Sequence, residues 1–187
     1  MEVPRFGGVA GVSHPPHPQI WALPCEISET QQELMPDNKL DGNMDEFMKH
    51  ALEEARKGLR EGGIPIGSIL VKDDQICGRG HNQRVQENNP IMHAEIHCLQ
   101  DAGRVGSYQD MVLYSTLMPC YLCAGAVVQF GIKKVIAGES QTFPGARKFM
   151  EQHGVEVIDL DLDACKQMMA EFIDSHPDLW DEDIGKL

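Results

Sequence analysis

Hydrophobic patterning predicts a three-layer α/β/α domain whose central mixed sheet has about five strands, with helices on both faces. Three observations carry that prediction: an amphipathic helix opens the patterned region, a β-hairpin follows it, and strands then alternate with helices. The chain has 187 residues, 42% apolar and 24% charged, which fits one domain with a buriable core and leaves little length for a second.

Residues 1–42 form a Pro-rich N-terminal extension, expected to be flexible. Six of the 11 prolines lie there, and no apolar period persists long enough for a helix. The patterned domain spans 43–187. Asn43 can cap a helix, with Glu46 reaching back in a capping box. Met44, Phe47, Met48, Ala51, Leu52, Ala55 and Leu59 then recur at helical spacing until Gly62-Gly63. Ile66 to Val71, a turn at Asp73-Asp74, and Gln75 to Gly80 read as the hairpin, which supplies one antiparallel pair. After a polar loop, helices are expected at 93–102, 120–130 and 162–173, and strands at 111–116, 133–137 and 155–160. The acid-rich end, 177–187, begins with a proline and carries Trp180 and Asp183 at a spacing that puts both on one side of a helical turn. It reads as a lid.

Charge narrows the partners. Acids outnumber Lys and Arg by 29 to 16, for a net charge of −13, so the chain lacks the positive field that a phosphate backbone or anionic lipid surface requires. The acidity sits at the two ends: residues 156–187 hold ten acids and two bases, residues 43–155 thirteen acids and twelve bases. No stretch approaches 18 consecutive apolar residues, and the N-terminus has no basic segment leading into an apolar one. A soluble, cytoplasmic protein that binds neither nucleic acid nor membrane is expected. Six cysteines are too few for a disulfide scaffold, and two of them form a C-x-x-C.

That motif, Cys120-Tyr121-Leu122-Cys123, follows a predicted strand and Pro119 and opens a predicted helix. Both sulfurs then share a helix face, and the helix N-terminus favours the thiolates that a metal needs. A thioredoxin-like redox pair starts a helix in the same way. His93-Ala94-Glu95 favours the metal, since it opens another helix and offers an imidazole with a carboxylate two residues on. One His and two Cys are the three protein ligands of a catalytic zinc whose fourth position is left to water. A structural zinc would take a fourth ligand from His97 or Cys98. Glu95 beside an open zinc can shuttle protons; without one it would be an ordinary partner of the helix dipole.

H-x-E followed by P-C-x-x-C is the signature of zinc-dependent deaminases. The likeness extends to EGGIPIGSIL, GRGHNQR, MPCYLCAGAVVQFGI, VIAGES and DLWDEDIG. Residues 44–187 resemble the fungal-type, free-base cytosine deaminases of the cytidine and deoxycytidylate deaminase superfamily. The resemblance implies a homodimer of cytidine-deaminase-like subunits, one zinc ion (Zn2+) per subunit, and hydrolysis of the free pyrimidine base cytosine to uracil and ammonia in pyrimidine salvage. By the same resemblance His93, Cys120 and Cys123 hold the zinc, Glu95 is the catalytic proton shuttle, and Asn82 reads the N1–O2 edge of the ring. Ile66 and Phe143 wall the ring, and Trp180 and Asp183 belong to the lid. Ala94 and Met118, larger than expected beside the ligands, act through backbone groups. Alternatives are deamination of guanine or of tRNA adenosine, and a non-catalytic zinc module that binds partners; the last has no use for Glu95.

Overall fold

The computed structural model describes residues 45–186. The Pro-rich extension and the expected cap Asn43 lie outside them. Helix α1 (Glu46–Arg60) is capped by Asp45, whose Oδ1 accepts from the Phe47 amide at 2.9 Å and the Met48 amide at 3.4 Å. A short carboxylate just before the helix satisfies the orphan amides that the sequence assigns to Asn43. Strands β1 (Gly67–Lys72) and β2 (Gln75–His81) form the hairpin. Asp73 and Asp74 turn it with φ of 49° and 59°, the left-handed conformation that a two-residue hairpin loop requires.

Helix α2 (Ala94–Ala102), β3 (Val112–Ser115), α3 (Tyr121–Phe130), β4 (Lys134–Ala137), α4 (Arg147–Gln152), β5 (Glu156–Asp159), α5 (Asp163–Ser175) and α6 (Pro177–Asp183) complete the fold. The sheet order is β2-β1-β3-β4-β5. From β2 the chain crosses through α2 and enters β3 on the far side of β1. β3 therefore runs antiparallel to β1, and the sheet has two antiparallel pairs where the hairpin alone suggested one. The pairs β3–β4 and β4–β5 are parallel, as connections through helices require. Among the described residues no helix is long and apolar enough to cross a membrane.

Strand residues alternate between two cores. Leu70, Leu113, Val135 and Val157 are aligned across the strands and pack with Leu99 of α2, Val127 of α3 and Met150 of α4. Their neighbours Ile69, Tyr114 and Ile136 face Met48 and Ala51 of α1 on the other side. Gly80 lets β2 press against α2, since a Cβ there would stand 2.3 Å from the Cys98 nitrogen. A third apolar cluster joins Ile66, Leu117 and Ala94 to Met169 and Phe172 of α5 and Trp180 of α6. It lies where β2, β3 and β4 end and β1 begins, the edge at which open α/β sheets receive ligands.

Candidate active site

Two helices start at that edge, and their first residues converge. His93 is the N-cap of α2 and Cys120 the N-cap of α3, so each helix starts one position later than expected from sequence. Extended backbone at both caps releases the side chains toward each other. Cys123, one turn on, joins them, so the ligand atoms of His93, Cys120 and Cys123 lie within 4.8 Å of one another. Cys120 Sγ is 3.5 Å from His93 Nδ1. Glu95, in the first turn of α2 and 4% exposed, accepts from the Ser115 hydroxyl on Oε1 at 3.1 Å, and its Oε2 lies 3.3 Å from Cys123 Sγ.

The electrostatics suit a metal. The hydrogen bond from Cys123 lowers Cys120 to about 4, burial opposes this, and His93 reinforces it. Cys123, the donor to Cys120 and itself buried, is pushed up. Burial raises Glu95, and the neighbouring Cys120 charge raises it further. Cys120 is therefore already a thiolate, and Cys123 holds the one sulfur-bound proton that a divalent cation would displace. Zinc fits the donor set of one imidazole and two thiols. The structural-zinc alternative loses its fourth ligand here, because His97 Nδ1 is engaged with the His81 backbone at 3.2 Å and Cys98 is fully buried beside Ser68. A redox pair explains neither His93 against one sulfur nor Glu95 against the other.

The cluster forms one wall of a cavity of about 370 Å³. Of the eleven site residues expected from sequence, ten line it, and Cys123 lies buried behind Glu95. Trp180 packs edge-on to Phe143, with ring centroids 6.2 Å apart, and these rings with Ile66 give the apolar walls. Asn82 is fully buried. Its Oδ1 accepts from the Arg84 amide at 3.1 Å, closing an Asx turn, while its Nδ2 donates to Asp183 Oδ1 at 3.2 Å. Met118 spends its N–H on the Glu139 carbonyl at 2.9 Å, so its carbonyl and side chain are what it can offer the cavity. Ala94 opens α2, where backbone N–H groups have no partner within the helix. Phe143 is seated by Gly145: with φ of +55°, that residue brings the loop so close to Pro119 that a Cβ would stand 2.5 Å from its carbonyl oxygen.

Sequence reasoning missed Arg84, Ser115, Leu117, Tyr121, Leu122, Ile184 and Gly185. Arg84 matters most, because its Nη1 donates to Asp183 Oδ1 at 2.8 Å. The available signal was electrostatic: so acidic a C-terminal segment needs a cation wherever it docks.

Comparison with known proteins agrees with this geometry. Residues 42–139 match the family described as the cytidine and deoxycytidylate deaminase zinc-binding region. The cytosine deaminase of Candida albicans is 44% identical over 139 residues, 73% of this chain and 93% of that protein. A tRNA-specific adenosine deaminase from Streptococcus pyogenes is 45% identical over 104 residues, 54% of this chain and 65% of that protein. Among solved structures, a tRNA:A34 deaminase matches with a TM-score of 0.53 at 28% identity, over 60% of this chain and 95% of its own. The guanine deaminase of Nitrosomonas europaea shares the fold, with a TM-score of 0.60 at 21% identity over 67% of this chain and 82% of its own. With the His/Cys/Cys cluster and Glu95 inside the matched region, the chain belongs to the cytidine and deoxycytidylate deaminase zinc-binding family.

Proposed function

We infer that this protein is a zinc-dependent hydrolase that deaminates a free nucleobase, cytosine to uracil and ammonia. The observation that carries the reading is one small cavity with the His93, Cys120, Cys123 cluster and Glu95 on one side and Asn82, Asp183 and Trp180 on the other. The 44% identical cytosine deaminase supports the choice of base. Zinc held by His93, Cys120 and Cys123, one ion per subunit, supplies Lewis acidity and an activated water.

The chain's own residues do the rest. Glu95 takes one proton of the attacking water and delivers it to ring N3; it then takes the remaining proton of the oxygen added at C4 and passes it to the exocyclic nitrogen, so that the C4–N bond breaks, ammonia departs and the C4 carbonyl is left. Its raised affinity for a proton suits that double duty. Asn82 accepts from N1–H and donates to O2, as a side-chain amide can do at once. Asp183 accepts from the exocyclic amine, and Trp180 and Phe143 cover the ring and exclude water.

The reading places the enzyme in pyrimidine salvage in the cytoplasm, as a homodimer. Tyr121 and Leu122 of α3, 69% and 44% exposed at the cavity wall, offer apolar surface that a second copy would cover. Sequence similarity to tRNA adenosine deaminases favours a second reading, against which the −13 net charge weighs. Ammonia release by zinc-loaded protein from cytosine, cytidine, guanine and adenine tests the choice, with a salt-dependent tRNA gel shift beside it. Cytosine alone should turn over; guanine turnover or salt-sensitive tRNA binding would move the substrate.

A further inference from the structure

We propose that Arg84 positions Asp183 and thereby makes the site prefer an amine-bearing ring to the carbonyl product that replaces it. The proposal rests on the free-base reading above. Arg84 stands two residues beyond Asn82, on the loop that leaves β2. Its side chain is only 10% exposed and forks to three acceptors. Nη1 donates to Asp183 Oδ1 at 2.8 Å, Nη2 to Glu182 Oε1 at 3.3 Å, and Nε to the Pro90 carbonyl at 3.2 Å. Its backbone N–H donates to Asn82 Oδ1 at 3.1 Å. One residue therefore fixes both polar groups on the side of the cavity that carries Trp180, Asn82 through its backbone and Asp183 through its side chain.

The direction of these bonds sets the selectivity. Asn82 Nδ2 and Arg84 Nη1 both donate to Oδ1 of Asp183, so Oδ2 is the oxygen left to serve the cavity. An ionised carboxylate only accepts hydrogen bonds. The exocyclic amine of cytosine donates to it. After water has added and ammonia has left, the same position carries a carbonyl oxygen, a second acceptor, and the pair repels. Held rigidly by Arg84, Asp183 favours substrate and disfavours product; released, it can turn away and lose that discrimination. Lysine cannot replace the fork, because one ammonium does not reach Asp183 and Pro90 with fixed geometry.

The test uses zinc-loaded, full-length protein as wild type, Arg84→Gln, Arg84→Lys and Glu182→Gln. Two quantities are measured: the ratio of the uracil inhibition constant to KM for cytosine, and hydrogen–deuterium exchange across residues 177–185. Arg84→Gln should lower the ratio about tenfold, the size expected for a buried charge-assisted bond, and speed exchange in 177–185 while α2 and α3 keep their protection. Arg84→Lys should fall between, and Glu182→Gln, on an exposed carboxylate, should stay within about twofold of wild type. An unchanged ratio in Arg84→Gln, or in Arg84→Lys if the glutamine variant does not fold, overturns the proposal. If wild type releases no ammonia from cytosine the free-base reading fails by itself, and unchanged exchange in 177–185 would then overturn the positioning role.

Discussion

The two walls of the cavity are held in different ways. On the metal side every group stands at the start of a long-packed helix or in the sheet: His93 and Glu95 on α2, Cys120 and Cys123 on α3, Ser115 on β3. Glu95 is clamped from two elements at once. The recognition side hangs on α6, a helix of seven residues at the end of the chain, secured by the Arg84 and Asn82 bonds to Asp183 and by Trp180 in an apolar pocket. The contrast teaches a division of labour. On the proposed function, the group that moves protons gains fixed geometry from the core, whereas the groups that admit and release a ligand sit on a short helix whose local opening the variants below test.

The largest expected effect is on the rigid wall. Glu95→Gln should keep zinc at its wild-type level and reduce kcat by about a hundredfold or more, the usual weight of general acid–base catalysis. Metal content and ammonia release on one preparation check it; near-normal turnover would remove Glu95 from the mechanism. On the detachable wall, truncation after Leu179 should keep zinc and the sheet but remove most of kcat/KM, with a lower Tm because buried Trp180 is lost. Full activity in the truncated protein would reduce α6 to a solvated end. Asp183→Asn is milder: it keeps an acceptor but gives up the charge paired with Arg84, and should cost about tenfold in kcat/KM, mostly through KM.

The same division explains what could be read from sequence. The metal side was legible because its residues come in short motifs, His93 with Glu95 and Cys120 with Cys123, each beside the start of a periodic helix. The boundaries moved by one residue because a ligand at an N-cap has extended backbone, which periodicity does not report. The order of strands was not legible, since nothing local tells the chain leaving β2 to pass over β1. Helix α4 is six residues with one buried side chain, Met150, too short for a period to show. Arg84 escaped because its meaning is tertiary: it binds Asp183, ninety-nine residues on. Trp180, Asp183, Ile66 and Phe143 came from family resemblance, since taken singly each would pass for an ordinary core or surface residue.

The smallest expected effect lies on the far face of the sheet and bears on both walls as a control. Asp45 caps α1, and its Oδ2 also accepts from the Tyr114 hydroxyl at 3.4 Å. Burial first, and the Asp45 charge second, push Tyr114 up to about 12. A tyrosine that binds its proton more tightly when folded stabilises the native state below its unfolded pKa, near 10, and loses that contribution as pH rises toward 12. Asp45→Ala removes a cap worth about 1 kcal/mol at neutral pH and lowers Tm by roughly 2–4 °C. It should also move the Tyr114 phenolate transition to lower pH, read by absorbance against the other two tyrosines, and so lessen the alkaline loss of stability. Zinc content, kcat and the uracil-to-cytosine ratio should all stay at wild-type values, because no residue of α1 lines the cavity. A change in that ratio would mean that the capped face of the sheet communicates with α6, and the separation between a fixed wall and a detachable one would have to be redrawn through β3, which carries Tyr114 and Ser115 side by side.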